Sequence, residues 1–415
     1  MAVTIRETES KARPAPGQMH HPERLILCGG SFSDNLGDGI IADCLVWAIG
    51  QHLPHTEVVK MDISGRLESH RVGFGPKGRI QTVMNALPPT LGRCVVLIAG
   101  SLYLKRAIEP TWQRILQDGD TVIIGGGQLF QDEQLNFPLK MWWLMRNLQR
   151  SQARHVVYSV GVSCQWSTLG RRLFGAVFRR PALLYCSVRD DGSRQNLLAH
   201  FRRIAPHDVG LDPDPALLAA ATYAAVTQDV PKQFDVGIGI MHPRTLLIDA
   251  RQKHVTAAAL SARWRASISA LLDRGLSVAL FSNGAREDDE YVQRLAQEMR
   301  AETRLVVLPQ PATPDHLVSY LARMRAIVAH RLHASIVGYA LAIPCLGLRW
   351  DPKLEEFYAA CGRADWVVDF STIPTEQFVA KAAALAEAPI DLVQQARVVE
   401  SCRAGVERLA DCVLS

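Results

Sequence analysis

The sequence predicts an α/β protein made of two doubly wound, Rossmann-like domains that face a central cleft. Short segments that are apolar at nearly every position recur along the chain, as in parallel strands covered on both faces. Stretches of helical periodicity separate them, which is the alternation of a doubly wound sheet. The alternation stops near the middle of the chain and then resumes, and 415 residues exceed one ordinary core.

The first half of the chain supplies the first predicted domain, residues 24–205. Its predicted strands are Arg24 to Cys28, Val95 to Ala99, Thr121 to Ile124 and His155 to Val160, with a further apolar run at Leu183 to Cys186. Its predicted helices are Asp38 to Leu53, Leu139 to Arg150 and Arg194 to Arg203. Residues 1–23 are polar and lack the apolar segment of a signal peptide, so we expect a disordered tail.

The pattern repeats after a polar, proline-containing stretch at 206–233, which is predicted to be a linker. The second set of predicted strands is Asp235 to Ile240, Ser277 to Phe281, Arg304 to Leu308 and Ala326 to Ala329. The helices between them are predicted at Thr256 to Arg274, Asp288 to Glu302 and Pro314 to Met324. Residues 234–385 are predicted to form the second domain. An alanine-rich helical stretch runs from Thr375 to Leu414, and its last part is predicted to be a C-terminal helix over residues 386–415. Two such domains in tandem make a GT-B-like arrangement.

Composition narrows the class of protein. Hydrophobic residues make up 48% and charged residues 21% of the chain, and no apolar run reaches the roughly 20 residues of a spanning helix. Nine cysteines without a C-x-x-C pair argue against a disulfide framework or a metal site and favour the reducing cytoplasm. A net charge of +5 suits anionic substrates or a membrane surface, and it is too diffuse to indicate nucleic acid.

The strongest candidate site is the turn that holds Arg331, Leu332 and His333, between an apolar strand and a helical segment. Arginine offers a fork of permanent donors, histidine exchanges protons near neutral pH, and helix-start N–H groups attract anions. Such a turn can hold a phosphorylated acid and protonate it. Lys353, after the next short strand, adds positive charge. A buried structural histidine beside a surface arginine remains an equally simple interpretation.

Two glycine-containing loops in the first domain are also candidates. The loop before the first helix carries Asn35 and Asp38, and a carboxylate there can act as a base or, more simply, either residue can cap the helix. The second loop carries Gly126, Gly127 and Asp132 after a predicted strand. Its glycines allow close backbone approach, but it is not a G-x-G-x-x-G dinucleotide motif, and a structural turn explains it as well.

Arg189 follows the run at Leu183 to Cys186 within a Ser-Val-Arg-Asp tetrapeptide. An arginine followed by an aspartate is most often a surface ion pair, and a role in binding requires that the strand end face the cleft. Asp214 begins an Asp-Pro-Ala turn, for which helix initiation is the simplest interpretation.

Together, these segments resemble the polysaccharide pyruvyl transferase family. The matching motifs occur in the family's order between about residues 25 and 365: N-x-G-D (35–38), the glycine run with a later aspartate (125–132), S-x-R-D (187–190), D-P-A (214–216), R-L-H-A (331–334) and D-x-K (351–353). Two features depart from the family pattern. Gly161-Val162-Ser163 replaces the usual glycine-proline, and Ser33-Asp34 is extra in the first loop.

The resemblance implies a GT-B-like fold and transfer of an enolpyruvyl unit from phosphoenolpyruvate to a sugar, with ketal formation and release of phosphate. The acceptor would be an exopolysaccharide, a cell-wall glycan or a lipid-linked oligosaccharide, and no cofactor or metal is required. Arg189 and Arg331 would bind the two acidic groups, assisted by Lys353 and by the N–H groups of Leu332 and Ala334. His333 would be the general acid and Asp38 the base, with Asp132 as the fallback.

Two other functions remain open: a GT-B glycosyltransferase that uses a nucleotide sugar, and a non-catalytic member of the fold in polysaccharide assembly. Acceptor recognition is expected in the loops 64–90 and 164–181. Residues 166–180 carry apolar positions at helical spacing bordered by four arginines. This pattern fits peripheral attachment to the inner face of the membrane, although a helix packed on the sheet is the simpler interpretation.

Overall fold

The computed structural model describes residues 22–68, 97–249, 256–299 and 304–414, and these form two domains, each built on a six-stranded sheet. Every strand pair is parallel. The strand order is β2-β1-β3-β4-β5-β6 in the first sheet and β12-β11-β10-β7-β8-β9 in the second. This is the predicted α/β arrangement of two doubly wound domains.

The first sheet is made of β1 (Arg24–Gly29), β2 (Glu57–Asp62), β3 (Thr121–Gly125), β4 (Arg154–Val160), β5 (Leu183–Val188) and β6 (Val209–Leu211). Its helices are α1 (Leu36–His52), α2 (97–103), α3 (Glu109–Ile115), α4 (Asn136–Arg150), α5 (Thr168–Phe174) and α6 (Asp191–His200). Two short helices, α7 (Ala219–Thr222) and α8 (Ala224–Thr227), lead to the second domain.

The second sheet is made of β7 (Phe234–Gly239), β8 (Val278–Phe281), β9 (Leu305–Val307), β10 (Met324–Ala329), β11 (Cys345–Leu348) and β12 (Val367–Val368). Its helices are α9 (Pro243–Asp249), α10 (Ala257–Asp273), α11 (Arg286–Gln297), α12 (Pro314–Ala322), α13 (Leu332–Ala340), α14 (Pro352–Ala360), α15 (Thr375–Ala383) and α16 (Leu392–Leu414). Central strands such as β3 are buried at every residue, as their continuous apolar character predicts.

The cleft lies where the carboxyl ends of the two sheets meet. Leu36, which begins α1 just after β1, donates its N–H to the carbonyl of Asn283 after β8, at 2.9 Å. Gly37 packs directly against His333, which follows β10. Ligands of open α/β sheets bind at the carboxyl ends of strands, so both domains present their binding edges to one another.

The strand predicted at Val95 to Ala99 is wrong for its described part. Residues 97–103 are helical, while Val95 and Val96 lie outside the described residues. The apolar side chains that reach the core from this region are Leu97, Leu104 and Ile108. Their spacing of seven and four residues is helical rather than alternating, and a five-residue apolar window does not distinguish the two.

The predicted linker at 206–233 is wrong in part, because β6 lies within it and pairs with β5 in the first sheet. The predicted C-terminal helix begins only at Leu392, since the helical stretch from Thr375 is interrupted around Pro389. This last helix packs against the first domain, where Arg408 forms an ion pair with the fully buried Asp212. The described residues therefore start and finish on the first domain.

The apolar face predicted over 166–180 packs inward. Phe174 lies 4.5 Å from Phe130 and 5.0 Å from Trp166 between ring centroids, and Phe174 and Phe178 are buried in the first domain. Arg172, Arg179 and Arg180 point to solvent. This segment is therefore a helix packed on the sheet, and its apolar face is not available to a bilayer. Within the described ranges, none of the helices has both the length and the apolar character needed to cross a membrane.

Candidate active site

A cavity of about 200 Å³ lies in the cleft between the two domains. Seven residues singled out from the sequence line it, three from the first domain and four from the second. They are Asn35, Asp38, Arg189, Arg331, Leu332, His333 and Lys353. The fold therefore brings together side chains that are up to about 300 positions apart in the chain.

Arg331 is fixed by an ion pair that sequence patterns did not reveal. Its Nε and Nη2 donate to Oδ2 of Asp288 at 3.0 and 2.7 Å, and Asp288 is fully buried. Arg331 also occupies the cap position of α13, and Leu332 and His333, the first residues of that helix, line the cavity. A fixed guanidinium beside a helix N-terminus is well suited to bind an anion.

Arg189 enters the cavity from the opposite domain and is equally constrained. Its Nε donates to Asp190 and its Nη2 donates to Oε1 of Gln128, each at 3.0 Å. Gly161 lies beneath this pair, and a Cβ at that position would be 2.8 Å from Nη2 and would collide with Gln128. Glycine at position 161 leaves room for the arginine. The glycine of the family's glycine-proline pair is therefore kept, and the departure is at the next residue, Val162.

His333 is buried between the domains, with Nδ1 against Gly37 of α1. A Cβ at Gly37 would overlap the imidazole ring, so this close approach of helix and histidine requires glycine. On the other side of the ring, Nε2 lies 3.8 Å from Oδ2 of Asp214. His333 is therefore held at the interface rather than exposed on one domain.

Asp38 lies in the cavity on the first turn of α1. Burial raises the pKa of the Asp38 carboxyl above its usual value, and the nearby His333 and Lys353 charges offset this only in part. Gly126 and Gly127 both adopt φ of +73°, and a Cβ at Gly127 would be 3.0 Å from Oδ1 of Asp38. Gly126 and Gly127 thus support Asp38 from behind and do not themselves line the cavity, whereas Gln128, Leu129 and Gln131 of the same loop do.

Two of the sequence-predicted groups have other partners. Asp132 accepts N–H bonds from Leu135 at 2.8 Å and Ser167 at 2.7 Å, and it does not line this cavity. The N–H of Ala334 donates to the carbonyl of Arg331 at 3.1 Å. Of these candidates, Asp38 rather than Asp132 and Leu332 rather than Ala334 line the cavity.

Lys353 completes the cationic side of the cavity. Its Nζ lies 2.8 Å from Oδ2 of Asp351 and 4.9 Å from the centre of the Trp350 ring. Burial lowers the pKa of the Lys353 ammonium, and the Asp351 carboxylate opposes this shift. Arg66, which the sequence did not single out, also lines the cavity and pairs with Asp62 at 3.1 Å.

The charges that line the cavity favour a small polyanion. Among the described residues that line the cavity, four basic side chains, those of Arg66, Arg189, Arg331 and Lys353, face a single carboxylate, that of Asp38. Each cation also has an acidic partner behind it, which holds the side chain in place and leaves other N–H groups available to a ligand.

The sequence profile of the polysaccharide pyruvyl transferase family matches residues 35–352. No curated protein matches the chain. Among solved structures, the chain is similar to a UDP-N-acetylglucosamine 2-epimerase, described as putative, from Listeria monocytogenes, with 12% identity, coverage of 94% of this chain and 96% of that chain, and a TM-score of 0.55. It is also similar to S. aureus MnaA in a co-structure with UDP, with 11% identity, 92% and 91% coverage and a TM-score of 0.50. These likenesses confirm the predicted GT-B-like fold.

Proposed function

Since the chain belongs to the polysaccharide pyruvyl transferase family, we propose that it transfers the pyruvyl group of phosphoenolpyruvate to a sugar and releases phosphate. The observation that carries the proposal is the pairing of Arg189 and Arg331 across one cavity, with His333 and Asp38 beside them. Phosphoenolpyruvate has two acidic groups, a carboxylate and a phosphate, and the two fixed guanidinium groups come from opposite domains. The acceptor class that we propose is a glycan or a lipid-linked oligosaccharide.

In the proposed complex, Arg331 and the N–H of Leu332 bind one acidic group and Arg189 binds the other. Lys353 supplies further positive charge, and Trp350 limits its movement. Both arginines already have buried or half-buried acidic partners that hold their side chains in place. Binding therefore costs little additional side-chain conformational entropy. Phosphoenolpyruvate enters as a substrate, and the proposed chemistry assigns no step to a cofactor.

The proposed reaction begins with a proton from His333 to C3 of phosphoenolpyruvate, which leaves C2 electron-poor. A first acceptor hydroxyl attacks C2 and gives its proton to Asp38. The bond from C2 to the phosphate oxygen breaks, and a second hydroxyl forms the second C–O bond of the ketal. In total, the two acceptor hydroxyls lose two protons. This number is balanced by the one proton that the new methyl group gains and the one proton that leaves with phosphate.

The donor site is tested by thermal stability with phosphoenolpyruvate, for the wild type and for Arg331→Lys. We expect the wild type to gain about 2.7 kcal/mol at a hundredfold excess over Kd, seen as a rise in Tm. Arg331→Lys keeps a charge opposite Asp288 but loses the fork of donors, so the rise should be largely lost. Arg349→Lys, a half-exposed arginine paired with Glu355, is the matched control and should keep it.

Phosphate release from phosphoenolpyruvate in the presence of an acceptor completes this test. A wild-type Tm that rises with a nucleotide sugar and does not respond to phosphoenolpyruvate would contradict the proposal and favour a nucleotide-sugar glycosyltransferase. An equal rise in Arg331→Lys and in the wild type would remove Arg331 from the donor site.

We further propose that the protein contacts an anionic bilayer when its acceptor is lipid-linked. The support comes from α2 and the π-helical segment that continues it, Leu104–Ile108. In α2, Ile98 is 65% exposed, Tyr103 is 61% exposed and Leu102 is also exposed. Lys105 and Arg106 follow and are exposed, and residues 97–108 contain no acidic side chain. Apolar side chains next to cations match the chemistry of an anionic membrane surface.

Vesicle flotation tests this contact. We expect wild-type protein to float with vesicles that contain anionic phospholipid, less with purely zwitterionic vesicles, and poorly when Ile98 and Tyr103 are both replaced by aspartate. The matched control replaces Leu392 and Val393, which are 62% and 63% exposed at the start of α16, and should float as the wild type does. Equal flotation of both double variants, or no flotation of the wild type, would rule out this surface.

A further inference from the structure

Asp214 is a buried carboxylate to which the proposed reaction assigns no role. It follows β6, and it is 5% exposed. Its Oδ1 accepts the N–H of Ala216 at 3.0 Å, whereas its Oδ2 has no hydrogen-bond partner. A buried carboxylate oxygen is costly unless charged groups face it.

Two cationic or proton-bearing groups face that oxygen, one from each domain. Oδ2 of Asp214 lies 3.8 Å from Nε2 of His333 and 3.8 Å from Nη1 of Arg189. Nε2 of His333 is itself buried and has no hydrogen-bond partner. Three polar atoms are thus arranged around one point without a direct bond, and contacts of this kind between catalytic groups commonly tighten when substrate binds.

We propose that Asp214 is the positioning residue for His333: its carboxylate holds the proton on Nε2 and leaves Nδ1 to deliver the proton to the donor. This inference rests on the proposed function. Nδ1 is on the side of the ring that faces Gly37, the residue before Asp38, and His333 lines the cavity. The carboxylate also faces Arg189, so the same group orients the acid and one of the donor-binding arginines.

The charges around the two groups fit an ionised Asp214. Burial alone raises the pKa of the Asp214 carboxyl, but the nearby His333 and Arg189 and the N–H of Ala216 hold it below the usual value. His333 is faced by Asp214 from the turn after β6, by Asp38 from α1 and by Lys353 from α14, and Arg189 lies beyond Asp214.

The test is Asp214→Asn, which keeps the shape and the acceptor for Ala216 but removes the charge. We expect kcat to fall at least tenfold and its alkaline limb to move to lower pH, because the imidazolium loses its nearest buried anion. Binding of phosphoenolpyruvate, read from the Tm rise, should persist. Asp214→Glu restores the charge and should recover part of kcat and the original position of the limb.

A second readout needs no turnover: the pH titration of the His333 ring followed by NMR, with the signal assigned from its loss in His333→Gln. We expect Asp214→Asn to move that titration to lower pH. Asp212→Asn is the matched control, since Asp212 is a buried aspartate two residues away that binds Tyr185 and Arg408. It should lower Tm and leave the titration unchanged.

An unchanged His333 titration in Asp214→Asn would overturn the inference, as would a loss of kcat with no movement of the alkaline limb. Failure of the proposed function is a different result. In that case phosphoenolpyruvate neither raises Tm nor is consumed by the wild type, while the titration still shifts in Asp214→Asn.

Discussion

Replacing Asp38 by asparagine should lower kcat by about 10²- to 10⁴-fold while phosphoenolpyruvate binds as tightly as in the wild type or more tightly. The amide cannot accept the acceptor's hydroxyl proton, so transfer slows. The same change removes the one carboxylate found among the described lining residues, which also include four basic side chains, so an anionic donor meets less repulsion. Steady-state phosphate release and the phosphoenolpyruvate-dependent rise in Tm measure the two effects separately.

The control for this prediction is Asp34→Asn, an exposed carboxylate in the same loop, which should leave both quantities unchanged. A kcat within a few-fold of the wild type in Asp38→Asn would show that another group, or water, takes the proton. Weaker binding of phosphoenolpyruvate together with lower kcat would point instead to a role of Asp38 in shaping the donor site.

Stability should change in the direction opposite to activity. Because burial raises the pKa of Asp38 in the folded protein, its ionised form destabilises the fold at neutral pH, and stability is gained as pH falls through that raised value. Asp38→Asn should therefore have a Tm at neutral pH at least equal to that of the wild type. The difference should disappear in acid, where the wild-type carboxyl is protonated.

The sequence was sufficient to select those cavity residues that follow the end of a strand. Arg331, His333, Asp38 and Arg189 each follow a buried apolar strand, and parallel sheets place such residues at one edge. Four strands of the second sheet, β7 to β10, were predicted from the same signal, and their bounds agree within about two residues at each end, whereas β12 was not predicted. Continuous apolar runs are a reliable sign of strands covered on both faces.

Contacts between distant elements left no such signal. Asp288 lies 43 positions from Arg331, and Gln128 lies 61 positions from Arg189, so neither partner is visible as a local motif. Gly37 is required only because His333 packs against it from the other domain. Strand β2 was missed since, as an edge strand with Glu57, Lys60 and Asp62, it lacks the apolar run of a central strand.

The helix at 97–103 shows that a short apolar segment does not by itself distinguish a helix from a strand. Leu97, Ile98 and Ala99 read as a strand when considered alone, yet only Leu97 of the three packs against the core. The exposed Ile98 and Tyr103 that result are the surface on which the membrane proposal rests. Because this segment was predicted to be a buried strand, the apolar patch was not recognised from the sequence. The exposed fraction of each side chain in the structure was needed to identify it.

His333→Gln should abolish pyruvyl transfer, with kcat lower by about 10²- to 10⁴-fold and the phosphoenolpyruvate-dependent Tm rise retained. Glutamine keeps much of the size of the ring and can still hydrogen-bond across the interface, but it cannot deliver a proton to C3. Because the arginines that bind the donor remain in place, loss of chemistry without loss of binding is the expected pattern. The product should also reveal the step, since wild-type turnover in D₂O places one deuterium in the new methyl group.

The matched control is His207→Gln, a histidine on the surface of the first domain that is far more exposed than His333. It should retain wild-type kcat and the same deuterium content. Near-full turnover by His333→Gln would exclude His333 as the acid. Loss of the Tm rise together with loss of kcat would instead make His333 part of donor binding, since a general acid contributes to the transition state and little to the ground-state complex.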